Sequence, residues 1–265
     1  MKYSCLHTHT LFCDGKNSVE EYCQAAEKKG FCRIGFSAHA PLDPKLGIVS
    51  TWHLKQEHFD EYVQAVITAK KNWEGRLEVL LGVEADFFEG SKMFSDKRLD
   101  YVIGSIHFLT KTYCADSPDA EFKKMLDEDF GGDIWALIDC YYHKLELMIR
   151  NCKIDIIGHL DLVKRNNRGN KYFSETDERY KCHITNIAKI IGDTNCTVEV
   201  NTGGVIRGRT DEPYPSKYFL KELKKYNVKV MINADAHNVE HLGGYYDEAK
   251  EILLQAGYNE NEICI

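Results

Sequence analysis

The stretch Tyr3-Ser4-Cys5-Leu6-His7-Thr8-His9-Thr10, residues 3–10, joins a short apolar run to a His-x-His pair. On an extended chain the side chains at positions i and i+2 point to the same face, so two imidazoles there can reach one metal ion. The pair alone is a weak indication of a site, because His-x-His also occurs by chance on solvated strands. Its interpretation depends on whether later parts of the chain supply further ligands.

The order of strand and helix that begins here continues along the chain. Residues 18–21, Ser-Val-Glu-Glu, form a capping-box pattern, and Gly30 ends the helix that this pattern predicts. Apolar stripes at helical spacing predict further helices over residues 54–73 and 134–148. Residues 108–132 are expected to form a long polar excursion. Seven apolar runs predict strands, at residues 3–6, 33–37, 77–83, 101–106, 154–157, 197–200 and 228–232.

These alternating elements predict an α/β fold. A chain of 265 residues can form one large barrel or two small domains, and no internal repeat, low-complexity tract or Pro/Ser-rich linker marks a boundary. Near-continuous apolar strands separated by amphipathic helices indicate a parallel sheet covered on its outer face, without deciding between a barrel and an open sheet. Every predicted strand except one ends at a potential metal ligand. This placement favours a barrel, in which catalytic residues come from the carboxyl ends of many strands.

Composition and charge restrict the classes of function. The net charge is −7 and the isoelectric point is about 5.9, which argues against non-specific nucleic-acid binding as the main activity. A local basic site remains compatible with these values. The ten cysteines include no Cys-x-x-Cys pair and are expected to be reduced and mostly buried. With no signal segment and no run of about 18 apolar residues, we expect a cytoplasmic protein that does not enter a membrane.

The histidines separate into two sets. A single histidine at the end of a strand, such as His159, is more often a hydrogen-bonded structural residue than a ligand. Six that converge on one face are harder to explain in that way, because unpaired imidazoles are costly to bury. Six of the eleven fall at the ends of predicted strands, namely His7, His9, His39, His107, His159 and His237. The other five lie in helices or loops with no shared location, namely His53, His58, His143, His183 and His241.

Three carboxylates occupy similar positions. Glu84 and Asp235 end apolar strands, and Asp14 lies in the loop after the His-x-His pair, where a turn-forming role before Gly15 is an alternative. Nitrogen and carboxylate ligands without thiolate suit zinc, iron or manganese. Nine such ligands exceed the need of one ion, so more than one ion is implied, with Glu84 as the natural bridge. A multinuclear centre lowers the pKa of bound water to roughly 7, which yields a hydroxide, and binds the oxyanion during in-line displacement.

With these residues in place, the sequence resembles a known family over nearly its whole length. It is similar to the PHP (polymerase and histidinol phosphatase) family, and within it to the branch of single-activity histidinol phosphatases. The matching motifs are LHTHT at 6–10, CDG at 13–15, FSAHAP at 36–41, GVEADF at 82–87, DYVIGSIHFL at 100–109, GHLDLVKR at 158–165, EVNTGG at 199–204 and NADAHN at 233–238.

The resemblance implies a distorted (β/α)7 TIM-like barrel as a single domain over residues 1–265, with three divalent metal ions. The first ion would be held by His7, His9, Glu84 and Asp235, the second by Glu84, His107 and His159, and the third by Asp14, His39 and His237. The implied reaction is hydrolysis of L-histidinol phosphate to L-histidinol and phosphate, a late step of histidine biosynthesis. We expect a metal-bridging hydroxide as the nucleophile, with Glu84 and Asp235 as catalytic carboxylates and Asp235, or a metal-bound group near it, protonating the departing alkoxide.

A dianionic substrate also needs positive charge outside the metals. Arg207 is the preferred phosphate ligand, because a guanidinium binds two oxygens at once, and Lys164 and Arg165 are further candidates. Arg168 and Arg209 lie in the same two loops. Each of these five could instead be a solvated surface charge. The expected partner is a small phosphomonoester, and neither nucleic acid nor a membrane is expected.

Other functions are also compatible with parts of the sequence pattern. One is a different phosphoesterase of the same superfamily, acting on nucleotides, nucleic-acid ends or phosphotyrosine, although the acidic charge and the absence of a basic stripe with aromatic residues count against nucleic acid. Another is a metal-binding protein without activity, against which the complete ligand set argues. A relative of the amidohydrolases also begins with His-x-His, but Glu84 and the closing Asp235-x-His237 fit the phosphoesterase arrangement better.

Overall fold

Residues 3–264 are described in a computed structural model of the chain. Eight parallel strands form one sheet in which each strand pairs with the next along the chain. The strands are β1 Tyr3–Cys5, β2 Phe31–His39, β3 Glu78–Asp86, β4 Tyr101–Ser105, β5 Ile156–Ile157, β6 Thr197–Asn201, β7 Lys229–Asn233 and β8 Ile263–Cys264. Because all run in one direction, their carboxyl ends lie together at one edge of the sheet.

Helices connect the strands and bury their apolar faces against them. The helix α1 begins at the capping box of Ser18 and Glu21, as predicted, and it packs on β2, while α2 packs on β3. The helices are α1 Val19–Lys28, α2 Phe59–Asn72, α3 Asp119–Asp129, α4 Ile134–Asn151, α5 Glu178–Gly192, α6 Gly203–Ile206, α7 Lys217–Lys225 and α8 Tyr246–Gln255. Within residues 3–264, no helix combines the length and apolar character needed to cross a membrane.

The sheet curls until its first and seventh strands meet. Beyond the end of β1, the His9 backbone N–H donates to the Ala236 carbonyl at 2.9 Å, and the Ala236 N–H donates to the His7 carbonyl at 3.1 Å. One residue before His7, the Leu6 backbone N–H donates to the Asn233 amide oxygen at 2.8 Å. This contact gives a nearly closed barrel and brings His7 and His9 beside the residues that follow β7.

A small apolar cluster, separate from the main core, is formed by residues of the strands below their carboxyl ends. Tyr101 lies at its centre, and its hydroxyl donates to the Leu6 carbonyl at 2.6 Å. Gly35 and Gly82 make room for the ring, because a Cβ at either position would lie within 2.4 Å of a Tyr101 atom. The cluster comprises Leu6, Tyr101, Ile103, Ile156 and Met231. It forms an apolar floor beneath the polar residues at the strand ends.

The seven predicted strands are present, and three details differ from the expectations. The short strand β8 adds an eighth, pairing Ile263 with Val230, and its two residues are too few to be recognised as an apolar run. Residues 108–132 are not wholly irregular, because α3 buries Phe122, Met125 and Leu126 along one face of an otherwise acidic segment. The nine cysteines whose side chains are described are less buried than expected, and the side chain of Cys264 lies outside the described part of the chain. Cys5 and Cys23 are buried and Cys182 is exposed, while six are half-buried, namely Cys13, Cys32, Cys114, Cys140, Cys152 and Cys196.

Candidate metal centre and active site

All nine predicted ligands lie together at the carboxyl edge of the barrel. Most are buried almost completely, whereas Asp14 and His237 are partly exposed. Asp14 reaches the site because its loop folds back on the strand end, where a Cβ at Gly15 would lie only 2.0 Å from the His9 carbonyl oxygen. The nine are His7 and His9 after β1, Asp14 in the following loop, His39 on β2, Glu84 on β3, His107 after β4, His159 after β5, and Asp235 and His237 after β7.

Glu84 is the centre of this cluster. Its Oε2 lies 3.2 Å from His7 Nε2 and 2.9 Å from His39 Nδ1. Its Oε1 lies 2.8 Å from His159 Nε2 and accepts a hydrogen bond from the Ser105 hydroxyl at 2.6 Å. One carboxylate therefore contacts groups from four other strands or strand ends, which is the position required of a bridging ligand.

Three sets of ligand atoms lie within 4.8 Å of one another: His7 with His9 and Asp235; His9 with Asp14, His39 and His237; and His39 with Glu84 and His107. The first set contains three of the four ligands expected for the first ion and lacks Glu84, and the second contains the three expected for the third ion together with His9. In the third set His39 takes the place expected for His159, whose Nε2 faces Glu84 instead.

The chemistry of these atoms fits divalent cations. Five buried atoms of the candidate ligands have no hydrogen-bond partner, namely His7 Nε2, His9 Nε2, His159 Nδ1, His39 Nδ1 and Glu84 Oε2. The last two are only 2.9 Å apart, yet their orientation is not that of a hydrogen bond. Buried polar atoms left without partners cost free energy, so a cluster of them aimed at shared points indicates that something else satisfies them. Imidazole nitrogens and carboxylate oxygens in this arrangement suit zinc, iron or manganese.

The charges of the cluster favour the same conclusion. Burial opposes ionisation of Glu84, but His7, His39 and His107 hold the pKa of its carboxyl well below the usual range. Burial also opposes ionisation of Asp235, where Arg207 makes the largest opposing contribution and keeps the pKa low. These carboxylates therefore stay ionised, and cations at the centre would balance their charge.

Glu199, which the sequence interpretation missed, orients two of the histidines. Its Oε2 accepts from His7 Nδ1 at 2.6 Å, and its Oε1 accepts the His159 backbone N–H at 3.0 Å. The side chains of Asn201 and Asn233 also donate to this carboxylate. A proton held on Nδ1 leaves the His7 Nε2 lone pair directed at the centre. An acid in the middle of an otherwise apolar strand, β6, was the available indication.

Asp86 plays the same part for His107, and it was also missed. It accepts from His107 Nδ1 at 3.0 Å and from the backbone N–H at 3.1 Å. Its second oxygen contacts His53 Nε2 at 2.9 Å. The spacing of Glu84 and Asp86 at i and i+2 places both on one face of β3. His53 and His241 lie in loops, as expected, but both are near the site, since His53 contacts Asp86 and His241 lines the cavity described next.

A cavity of about 780 Å³ lies above the centre. Three guanidinium groups line it, those of Arg165, Arg207 and Arg209, here called the arginine wall. Negative charge comes from Asp116, in the segment between β4 and α3, and from Glu121, in the first turn of α3; these two residues are here called the acidic side. Aromatic surface is added by Trp52 and Phe108, whose rings stack with centroids 5.6 Å apart and planes inclined by 10°. The cavity thus offers a ligand both positive and negative charge next to the metal ligands.

Comparison with known proteins identifies the family. The sequence profile of the PHP domain matches residues 6–203. The chain belongs to the PHP domain family. It is 31% identical to a protein of Deinococcus radiodurans named "Probable histidinol-phosphatase", over 93% of this chain and 91% of that protein. The resemblance found in the sequence is confirmed.

Two solved structures share the fold of this PHP domain. One is the putative histidinol phosphatase of Listeria monocytogenes, with a TM-score of 0.81 and 21% identity over 92% of this chain and 99% of that one. The other is the histidinol phosphate phosphatase of Lactococcus lactis, solved with zinc, L-histidinol and phosphate, with a TM-score of 0.73 and 18% identity over 97% and 95%. The predicted (β/α)7 barrel is confirmed, with the short strand β8 as an addition beside β7.

The basic residues of this PHP domain divide between the cavity and its surroundings. Arg207, which is 18% exposed, donates from Nη1 to the Asp235 carbonyl at 2.7 Å and from Nη2 to Asp235 Oδ2 at 2.8 Å. It therefore supports a metal ligand as well as facing the cavity. Arg165 faces the cavity with its Nη1 3.3 Å from Asp116 Oδ2.

Lys164 and Arg168 do not line the cavity. Lys164 is 5% exposed, and its Nζ lies 2.7 Å from Glu212 Oε1, behind the arginine wall. A 3₁₀ turn over Leu162–Lys164 explains the difference from Arg165, because such a turn directs successive side chains about 120° apart. Arg168 forms an exposed ion pair with Asp211. The interpretation of Lys164 as a substrate contact does not fit its position in the structure.

Proposed function

We propose that the chain is a metal-dependent phosphomonoesterase that hydrolyses L-histidinol phosphate to L-histidinol and phosphate. The observation that carries this proposal is the cluster of partnerless ligand atoms opening into a cavity with both cationic and anionic sides. The histidinol-phosphatase names of the relatives support the choice of substrate. A cytoplasmic location, as expected from the sequence, is part of the same proposal.

We assign three divalent ions to the nine ligands, with zinc, iron and manganese as the candidates. The zinc in the Lactococcus lactis structure supports zinc first. When bound, such ions supply Lewis-acid charge and lower the pKa of coordinated water to about 7. Glu84 holds histidine ligands from several strands in one place, and Glu199 and Asp86 keep His7 and His107 in the required orientation.

The arginine wall is proposed to bind the phosphate. Arg165 and Arg209 offer guanidinium groups at the cavity surface, and Arg207 adds a third while it steadies Asp235. Because Arg207 and the histidines keep Asp235 ionised, its carboxylate is suited to holding a cation and not to donating a proton to the leaving oxygen. We therefore assign Asp235 to metal binding alone.

The acidic side of the cavity is proposed to receive the organic part of the substrate. L-Histidinol carries an ammonium group and an imidazole, and both can be cationic near neutral pH. Asp116 and Glu121 supply the complementary charge, while Trp52 and Phe108 offer flat apolar surface to the imidazole. Charge of both signs in one cavity suits a substrate with an anionic phosphate and a cationic organic part better than a simple sugar phosphate.

The decisive experiment is phosphate release by metal-loaded protein on L-histidinol phosphate, beside sugar phosphates, nucleotides, phosphotyrosine and short oligonucleotides. We expect histidinol phosphate to have the highest kcat/KM by a wide margin. A comparable rate on any member of the panel would overturn the substrate assignment, although the metal centre could still stand. Protein stripped with a chelator serves as the control and should be inactive until metal is restored.

A further inference from the structure

Three carboxylates surround the buried ammonium group of Lys164, and this group of charges has no part in the mechanism given above. Lys164 Nζ lies 2.7 Å from Glu212 Oε1 and 3.7 Å from both Asp161 Oδ2 and Glu175 Oε2. These four residues are here called the Lys164 cluster. Burial opposes the charge of Lys164, but Asp161, Glu212 and Glu175 outweigh it and raise the pKa of the lysine. The ammonium group is therefore fully charged although it is almost inaccessible to solvent.

The Lys164 cluster joins the two loops that carry the arginine wall. Asp161 and Lys164 lie in the loop after β5, directly before Arg165. Glu212 lies in the loop after β6, which also carries Arg207 and Arg209. A second contact joins the same two loops, because the Asp161 carboxylate accepts the Ser216 backbone N–H at 2.9 Å. The other Glu212 oxygen accepts the Lys217 N–H at 3.3 Å, which fixes the far end of the second loop.

The arginine wall needs such a link because its members repel one another. Burial, followed by the charges of Arg165 and Arg207, lowers the pKa of Arg209. Since Arg165 belongs to one loop and the other two arginines to the next, this repulsion acts to separate the loops. The opposite charges of Lys164 and Glu212 hold the same two loops together, and solvent screens this pair less than a fully exposed one because the lysine side chain is buried.

We propose that Lys164 is a positioning residue that fixes Arg165 relative to Arg207 and Arg209, so that the three guanidinium groups are spaced for a phosphate before it binds. This inference rests on the proposed function only in taking the cavity ligand to be a phosphate. Preorganisation of this kind raises affinity by removing the cost of ordering the loops. An apolar residue at position 164 could fill the same space, but it could not select one register of the two loops.

The test measures phosphate affinity directly. Inorganic phosphate is titrated calorimetrically into metal-loaded wild type, Lys164→Met and Glu212→Gln, and KM and kcat for L-histidinol phosphate are measured in parallel. We expect Lys164→Met to weaken phosphate binding and raise KM by about tenfold, as misalignment of one charge-assisted hydrogen bond would do. A change in kcat below about threefold and an unchanged metal content are expected. Glu212→Gln, whose amide still accepts from Lys164, should show a smaller loss of the same kind.

The matched control is Asp211→Asn, which removes an exposed ion pair between the same two loops and should leave phosphate affinity unchanged. An unaltered phosphate dissociation constant in folded, metal-replete Lys164→Met would overturn the inference, as would an equal loss in Asp211→Asn. If Lys164→Met does not fold, Glu212→Gln decides by the same criterion. Failure of the wild type to prefer histidinol phosphate would instead refute the proposed function, and the phosphate titrations would still be read independently.

Discussion

The metal centre and the arginine wall face the same cavity but are held by different parts of the fold. Eight of the nine candidate ligands lie at or just beyond strand ends, where the backbone ladder of the barrel fixes their positions. The arginines lie on two loops, and ion pairs between side chains join those loops. The difference teaches that the site combines a rigid, sheet-borne part for the metals with a loop-borne part in which substrate preference can vary.

Loss of Glu84 should have the largest effect, because this carboxylate contacts ligands of every part of the centre. We expect Glu84→Gln to lose bound metal and to reduce kcat/KM by more than about a hundredfold. Loss of a residue that only supports a metal ligand costs up to about a hundredfold, and loss of a ligand should cost more. Metal content by mass spectrometry and phosphate release measure the two effects. Glu78→Gln, an exposed change on the same strand β3, is the matched control. Retention of full metal content and activity by Glu84→Gln would refute the bridging role.

Glu199→Gln should have the second largest effect, acting through His7 without touching the metal. The amide cannot accept the His7 Nδ1 proton as strongly, and its NH₂ group can donate to that nitrogen and reverse the tautomer. Metal affinity should fall by about 10- to 100-fold, as measured by competition with a chelator. The thermal midpoint of the metal-free protein serves as the control for folding. An affinity equal to that of the wild type would show that His7 is oriented by other contacts.

Glu199 is an example of a supporting residue whose role could not be predicted from the sequence. Ligands such as His39 and Glu84 could be predicted because each polar residue interrupts an apolar run, and parallel strands bring such interruptions to one edge. The barrel followed from the same alternation of strands and helices. Residues that support the ligands gave weaker patterns: Glu199 lies inside a strand, and His53 reaches Asp86 from a loop.

The direction of side chains on loops could not be predicted at all. Lys164 and Arg165 are adjacent basic residues in one motif, and only the 3₁₀ turn that carries them sends one into the cavity and the other behind it. The apolar face of α3 was missed for a different reason, since only three apolar residues, Phe122, Met125 and Leu126, stand at helical spacing in a segment that is otherwise strongly charged. The first case depends on local backbone geometry that hydrophobic periodicity does not encode, and the second on a short stripe outweighed by its charged neighbours.

Metal affinity at the centre should depend on pH, whereas the charge of the arginine wall should not. Burial opposes the charge of His107, but Asp86 and Glu84 outweigh it and raise the pKa of His107 to about 10 in the metal-free protein. A metal binds the neutral imidazole, so uptake must remove this proton. Affinity for zinc should therefore rise with pH from neutrality toward about pH 10, by up to tenfold per pH unit for each proton released. The protonated imidazole stabilises the metal-free fold below about pH 6.5, and this contribution is lost as pH rises through about 10.

Calorimetric titration with zinc at pH 7, in two buffers of different ionisation enthalpy, counts the protons released. Asp86→Asn removes the largest influence that raises the pKa of His107, so this variant should release fewer protons than the wild type. Titration of inorganic phosphate into the metal-loaded protein provides the contrast, because the guanidinium groups keep their charge across this range and any proton exchange then comes from the phosphate or the metal centre. Zinc uptake without proton release at pH 7 would contradict the protonated state assigned to His107.

The smallest effect is expected at the acidic side of the cavity, where substrate preference should be separable from phosphate binding. Asp116→Asn removes a carboxylate whose side chain is 31% exposed, so solvent screens part of its attraction for the cationic end of L-histidinol phosphate. We expect KM for that substrate to rise by about three- to tenfold, with kcat nearly unchanged, since the contact is made in both ground and transition states. Affinity for inorganic phosphate should not fall, because Arg165 loses a neighbouring negative charge. Asp119→Asn, an exposed change nearby that breaks a pair with Lys171, is the control. If Asp116→Asn weakens inorganic phosphate as much as the full substrate, Asp116 acts by positioning Arg165, and the acidic side of the cavity does not select the organic group.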